Sequence, residues 1–381
     1  MPKKVKAGGQ ARVTLAHFGK ILDAMVAQPR QVDVPLLYAP PGVGKTESVE
    51  GWINDRNQLA VDGRSRDPRD GNWRCLPLVL SQYDPTELKG FPYVDSKGEF
   101  RFSPLHTFPL EGPAVIFFDE LGTSNKEVQN VVLRLFSQME LGDYNLPPNV
   151  FMVAASNHHS DAGVFVHKLS TAMKTRFVTY FVDVKFEVWK KWAMKNDVDP
   201  SIVYFLEHNQ EFLIDINPDQ DSMPCPRTWV NLSHQMQRMK HLGYRDMRSL
   251  YPEMVGRVGG AAAGAYQNYL EIYSKVDVDG ILKDGRYPQN IGSQTGDFAV
   301  MGAMVGTLKN PDYKVNSGMC KNFIGCVNKM KREYAVCLVG DLMKNTDFLE
   351  TLRKSLKGTA ERKHYESLLT DYVKLLKKDD A

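Results

Sequence analysis

The chain has 381 residues, 43% hydrophobic and 24% charged, a balance that excludes global disorder, collagen-like repeats and a disulfide-dense scaffold. Lys plus Arg is 48 and Asp plus Glu is 45, so the formal net charge is only +3, which argues against whole-chain electrostatic capture of nucleic acid. A length of this order suggests two or three domains. The first residues, 1–13, form a basic tail carrying Lys3, Lys4, Lys6 and Arg12, with no apolar stretch that would make a secretory signal. Thr14 to Gln28 has helical spacing, with Leu15, Phe18, Ile21, Leu22 and Met25 on one face. Val34 to Tyr38 reads as a short strand, and a helix is expected from the following Gly-rich turn to about Ile53. The polar stretch from Asp55 to Asn72 reads as a loop. A second strand is expected over Leu76 to Leu80 and a hairpin over Phe91 to Phe102, turning at Asp95-Ser96-Lys97-Gly98.

Ala114 to Phe118 is apolar throughout, as a buried parallel strand should be. Ser124 and Glu127 have capping-box spacing ahead of the helical run Val128, Val131, Val132, Leu135, Phe136 and Met139. Further strands are expected at Val150 to Ala155 and Phe177 to Val184. Strands alternating with helices predict a parallel sheet with helices on both faces. From Phe186 the pattern becomes helical, broken at Pro200, Pro218, Pro224, Pro252 and the Gly-rich stretch Gly256 to Gly264. Asp277 to Gly296 reads as a loop or linker, and 360–377 as a charged amphipathic helix. Cys75, Cys225, Cys320, Cys326 and Cys337 form no Cys-x-x-Cys pair and read as reduced thiols of a cytoplasmic protein. The longest apolar run, Phe298 to Val305, is far below the roughly 18 residues of a membrane span.

Chemistry concentrates where the first strand ends. Gly42-Val43-Gly44-Lys45-Thr46 lies between a predicted strand and a predicted helix, the context a phosphate-binding loop requires. Glycines let successive N–H groups turn toward phosphate oxygens, and the helix N-terminus adds a favourable dipole. In that role Pro41 to Glu47 would line the nucleotide, Lys45 would reach the β- and γ-phosphates, and Thr46 would help hold Mg²⁺. The strict pattern wants Gly at position 39, where this chain has Ala39. Asp119 and Glu120 follow the buried run 114–118, so Asp119 would support the metal and Glu120 would polarise an attacking water.

These residues, with four further segments, resemble AAA+ ATPases, most closely the MoxR group, which is related to chelatase motor subunits. Leu80 to Gly90 with the following hairpin resembles the second-helix insertion of that clade. Ser156-Asn157 resembles its sensor-1 segment, Leu169 to Phe177 the stretch ending in an Arg-Phe pair, and Pro224 to Trp229 the sensor-2 segment. The resemblance spans roughly residues 14–270. It implies a nucleotide-binding α/β core over 14–185 with a hairpin insertion near 84–104, a helical lid over 186–275, and a linker with a helical C-terminal extension over 276–381. It further implies ATP and Mg²⁺ as cofactors and a homo-hexameric ring. By the same resemblance Asn157 contacts the γ-phosphate or water, Arg176 acts as a finger on a neighbouring subunit, and Arg227 senses nucleotide from the lid. Arg134 is the competing finger. Relatives act on partner proteins carrying a von Willebrand A domain, so a protein client is implied. The departures, Leu121-Gly122-Thr123-Ser124 after the acidic pair and His158-His159 after Asn157, bear on the partner and not on the nucleotide.

Other signals carry less. Adjacent His158 and His159 with Asp161 do not make a zinc spacing. The basic run His234, Arg238, Lys240, His241, Arg245 and Arg248 reads as a solvated helix face, which leaves a nucleic-acid motor as a disfavoured alternative. A nucleotide-gated assembly factor with little turnover is the other.

Overall fold

The computed structural model describes residues 10–28, 30–158, 166–244, 246–289, 291–310, 312–359 and 361–379. Lys3, Lys4, Lys6, His159, Asp161 and Arg245 fall outside them. The chain forms two compact units, Met1–Val188 with Ile216–Pro218, and Trp189–Asp215 with Asp219–Ala381.

The first unit runs β1 (Arg12–Val13), α1 (Leu15–Val26), β2 (Val34–Tyr38), α2 (Lys45–Val61), β3 (Arg74–Val79), α3 (Pro85–Lys89), β4 (Phe91–Val94), β5 (Phe100–Ser103), β6 (Ala114–Asp119), α4 (Lys126–Gln138), β7 (Glu140–Leu141), β8 (Tyr144–Asn145), β9 (Val150–Ser156), α5 (Thr171–Lys174) and β10 (Phe177–Val182). Six strands form one parallel sheet in the order β1-β10-β2-β9-β6-β3. Its central strands are apolar because both faces are covered: β9 is buried along its whole length and β6 up to Asp119. Val34, Leu36, Ile116, Phe118, Met152 and Ala154 pack from the sheet against Val128, Val132, Leu135 and Phe136 of α4. Each of these side chains except Ala154 stabilises the unit by about 1.5–3 kcal/mol through burial alone.

The sequence expectations need four corrections. The tail ends earlier than expected, since Arg12–Val13 pair with β10 as β1, the edge strand of the sheet. The second helix continues past Ile53 to Val61 because its polar residues have partners. Arg56 there binds Asp23, Asp67 and Asp70 at 3.0, 2.8 and 2.7 Å and lies over the Trp52 and Trp73 rings. Ser124 does not cap α4: its buried hydroxyl donates to the Leu121 carbonyl at 2.7 Å, and Asn125 accepts from Val128 N–H at 2.8 Å instead. The expected linker contains a helix, α11 (below), because Asp277 caps it through Gly280 N–H at 2.8 Å and Gly285 ends it in the left-handed conformation. The expected hairpin is formed, with Phe91 opposite Ser103 and Val94 opposite Phe100.

The helical part comprises α6 (Phe186–Lys195), α7 (Pro200–His208), α8 (Pro226–His241), α9 (Tyr251–Val258), α10 (Gly260–Tyr273), α11 (Val278–Asp284), α12 (Gln294–Leu308), α13 (Ser317–Val327), α14 (Arg332–Asp341), α15 (Thr346–Ser355) and α16 (Glu361–Asp379). The apolar run 298–305 is the middle of α12, apolar on every face and packed among α7, α10 and α14. Pro200, Pro226 and Pro252 stand in the first turns of α7, α8 and α9, where no N–H bond is lost. Among the described residues no helix is long and apolar enough to cross a membrane.

Candidate nucleotide site

The ends of β2, β9 and β6 meet at one edge of the sheet, and register decides what they bring. Tyr38 pairs with Ser156 and Phe118 with Ala154, so Ala39, Asn157 and Asp119 leave neighbouring strands side by side. In parallel α/β sheets ligands bind outside the carboxyl ends of the strands. Here the loop after β2 turns through Gly42 and Gly44, whose φ values of 73° and 95° are costly for residues bearing a Cβ. Helix α2 then starts at Lys45, with its first N–H groups facing the loop.

Side chains from these three strand ends converge. The Lys45 ammonium donates to the carbonyls of Ala39 and Pro40 at 3.0 and 3.2 Å and to Asn157 Oδ1 at 3.1 Å. Thr46 Oγ1 donates to Asp119 Oδ2 at 3.3 Å, and the other carboxylate oxygen accepts from Glu120 N–H at 2.8 Å. A hydroxyl facing a carboxylate is a hard-oxygen donor pair of the kind Mg²⁺ uses beside phosphates, so these residues fit that ion. Pro41 is half-buried, Val43 is buried, and Glu47 is exposed on the first turn of α2.

Glu120 adopts φ 56°, a left-handed conformation that costs a non-glycine residue about 1 kcal/mol. The turn that imposes it is closed by Thr123 and Ser124 N–H groups on the Glu120 carbonyl at 3.0 and 3.1 Å. Its carboxylate accepts from the hydroxyl of Ser81, which lies just past β3. Ser81 stands within a segment noted for its insertion and not for chemistry. Its role follows only from β3 lying next to β6, with Val79 opposite Asp119.

Two of the three candidate arginines, Arg176 and Arg134, belong to the first unit and lie away from these side chains. Arg176 is exposed, bonds Thr175 Oγ1 at 3.1 Å, and precedes Phe177, which pairs with Val34 at the opposite edge of the sheet. From Val34 to Tyr38 the strand advances roughly 13 Å, at about 3.3 Å per residue, so Arg176 is remote from its own chain's loop. Arg134 is exposed on α4 and binds Gln138 Oε1 at 3.0 Å and Glu140 at 2.9 Å. Arg227 belongs to the second unit, exposed in the first turn of α8.

No family model matches this sequence, and no match was found among curated proteins. Solved structures do align. A mutant RuvB of Thermotoga maritima is 16% identical over 70% of this chain and 74% of its own, with a TM-score of 0.33. NtrX from Brucella abortus is 14% identical over 67% of each chain at 0.30. A protein of Cytophaga hutchinsonii, described as a putative ATPase, is 14% identical over 93% of this chain and 88% of its own at 0.31. Alignments at these scores carry no functional weight; the parallel sheet and its loop–helix junction define the fold by themselves.

His158 packs edge-on against Tyr38 at 5.0 Å and Phe181 at 5.3 Å. It borders a cavity of about 240 Å³ lined also by His167, Lys168 and Lys174. Burial pushes the Tyr38 hydroxyl up from its ordinary pKa. Among the described residues no group of three metal-ligating side chains converges.

Proposed function

We propose that the chain is an AAA+ ATPase of the MoxR type, working as a ring that couples Mg²⁺-dependent ATP hydrolysis to the remodelling of a protein client. The observation that carries this reading is the convergence of Lys45, Thr46, Asp119, Glu120 and Asn157 from three adjacent strand ends. In that site Lys45 exchanges its carbonyl partners for β- and γ-phosphate oxygens, and Asn157 holds the γ-phosphate or the attacking water. Glu120 orients the water and takes its proton as the water oxygen bonds to the γ-phosphorus, while the bond from that phosphorus to the β–γ bridging oxygen breaks and ADP leaves. Mg²⁺, when bound near Thr46 and Asp119, neutralises charge on the phosphates.

Arg176 is the better finger for a neighbouring subunit. It stands far from its own loop, whereas Arg134 is engaged with Glu140 and Gln138 of its own chain. A ring, six-membered in the family, supplies the neighbour. The nucleic-acid alternative loses support from charge pairing: in the basic run, Lys240 is bound to Asp199 and Arg248 to Asp246.

The test is Glu120→Gln. Turnover should fall about 10²- to 10⁴-fold while ATP binding persists, and a pull-down in ATP should retain a protein, the von Willebrand A class being the first to look for. Wild-type turnover in this variant would remove Glu120 from the chemistry. DNA-stimulated hydrolysis by the wild type in low salt would favour the motor.

A further inference from the structure

The buried strand β9 carries one hydroxyl among six apolar side chains, that of Ser156, and it is 1% exposed. A buried hydroxyl must find partners, and here each partner belongs to the nucleotide site. Ser156 Oγ accepts from Gly122 N–H at 3.1 Å and donates to the Asn157 carbonyl at 2.8 Å. The Ser156 carbonyl meanwhile accepts from Ala39 N–H at 3.2 Å, at the start of the phosphate loop. One residue thus joins the phosphate loop, the turn that carries Glu120 and the segment that carries Asn157.

The contact with the acidic turn is close enough to dictate its sequence. A Cβ on Gly122 would lie 2.4 Å from Ser156 Oγ and 2.5 Å from a methyl of Val166, so the turn reaches the hydroxyl only as glycine. Gly122 is two residues from Glu120, inside the same closed turn, whose Leu121 N–H also bonds the Ala155 carbonyl at 3.1 Å. Moving Gly122 therefore moves the carboxylate relative to Asn157. Resting on the hydrolase reading above, we propose that the Ser156 hydroxyl is a positioning residue that sets Glu120 against Asn157, so that both meet the same attacking water. It touches no phosphate; it acts through the two groups it registers.

The full-length chain tests this by steady-state ATP hydrolysis with nucleotide affinity measured alongside. Ser156→Ala keeps the main-chain bond to Ala39, so affinity should change less than about threefold while kcat falls about 10- to 100-fold, the scale of a misplaced reacting group. Ser156→Thr, which restores a hydroxyl, should recover most of kcat. In an Asn157→Ala background, adding Ser156→Ala should cost less than about threefold more, because the register has already lost one end. Gly122→Ala, pressing on the same hydroxyl from the turn, is the second variant and should reproduce the kcat loss. An unchanged kcat in Ser156→Ala overturns the proposal. So does a kcat loss matched by an equal loss of affinity, or a full additional loss in the Asn157→Ala background, since either marks a merely structural role. A wild-type protein that binds ATP without turning it over overturns the hydrolase reading itself, and the proposal with it.

Discussion

Lys45 answers to three oxygens from two strand ends, which gives its charge a structural part beside the phosphate-binding one proposed for it. Lys45→Ala should weaken binding of a fluorescent ATP analogue by more than about 100-fold, because it removes a phosphate partner and also releases the carbonyls that shape the loop. Retained affinity would show that the loop N–H groups suffice. This residue was legible in the text of the chain, since glycines, lysine and threonine at fixed spacing act within one turn. Ser81 and Ser156 were not legible as participants. Each is a common residue whose partner, Glu120 or Gly122, lies 39 or 34 positions away and arrives only through strand pairing.

The loop between α2 and β3 shows how an element can defeat its composition. Its Arg- and Asp-rich residues look solvated, yet Arg69 binds Asp67, Asn149 Oδ1 at 3.1 Å and the Val26 carbonyl at 2.8 Å. Hydrogen bonding from Arg69 holds the Asp67 carboxyl down at about 2. A carboxyl whose folded pKa lies below its unfolded value stabilises above that unfolded value, near 4, and loses the contribution as pH falls toward 2. Urea unfolding at stepped pH should show Asp67→Asn less stable than wild type by a constant margin from pH 5 to 8, and the margin should close between pH 4 and 2. A margin independent of pH would mean that packing, not charge, is lost. Helix α11 teaches the same lesson: Asp277 and Gly285 are proper start and stop signals hidden in polar sequence.

For the whole molecule, Arg176, the candidate finger, precedes the start of β10 and so stands at the end of the sheet opposite its own chain's loop. Arg176→Ala should bind ATP normally and lose hydrolysis by about 10³- to 10⁵-fold. Mixing it with Lys45→Ala subunits should restore part of the activity, because each subunit supplies what the other lacks; no rescue would move the role to Arg134. The residues in their order were enough for the local features: apolar runs that must be buried, a Gly-rich loop bound to a helix start, and acidic residues closing a strand. Those patterns follow from chain geometry and solvent exclusion within a few residues. Which side chains meet is a matter of the folded chain: Lys45 with Asn157, Thr46 with Asp119, and Ser156 with the Glu120 turn. Folding also places Arg12–Val13 on the sheet edge and Arg176 away from its own site. Register between distant strands sets such contacts, and no local pattern encodes that register.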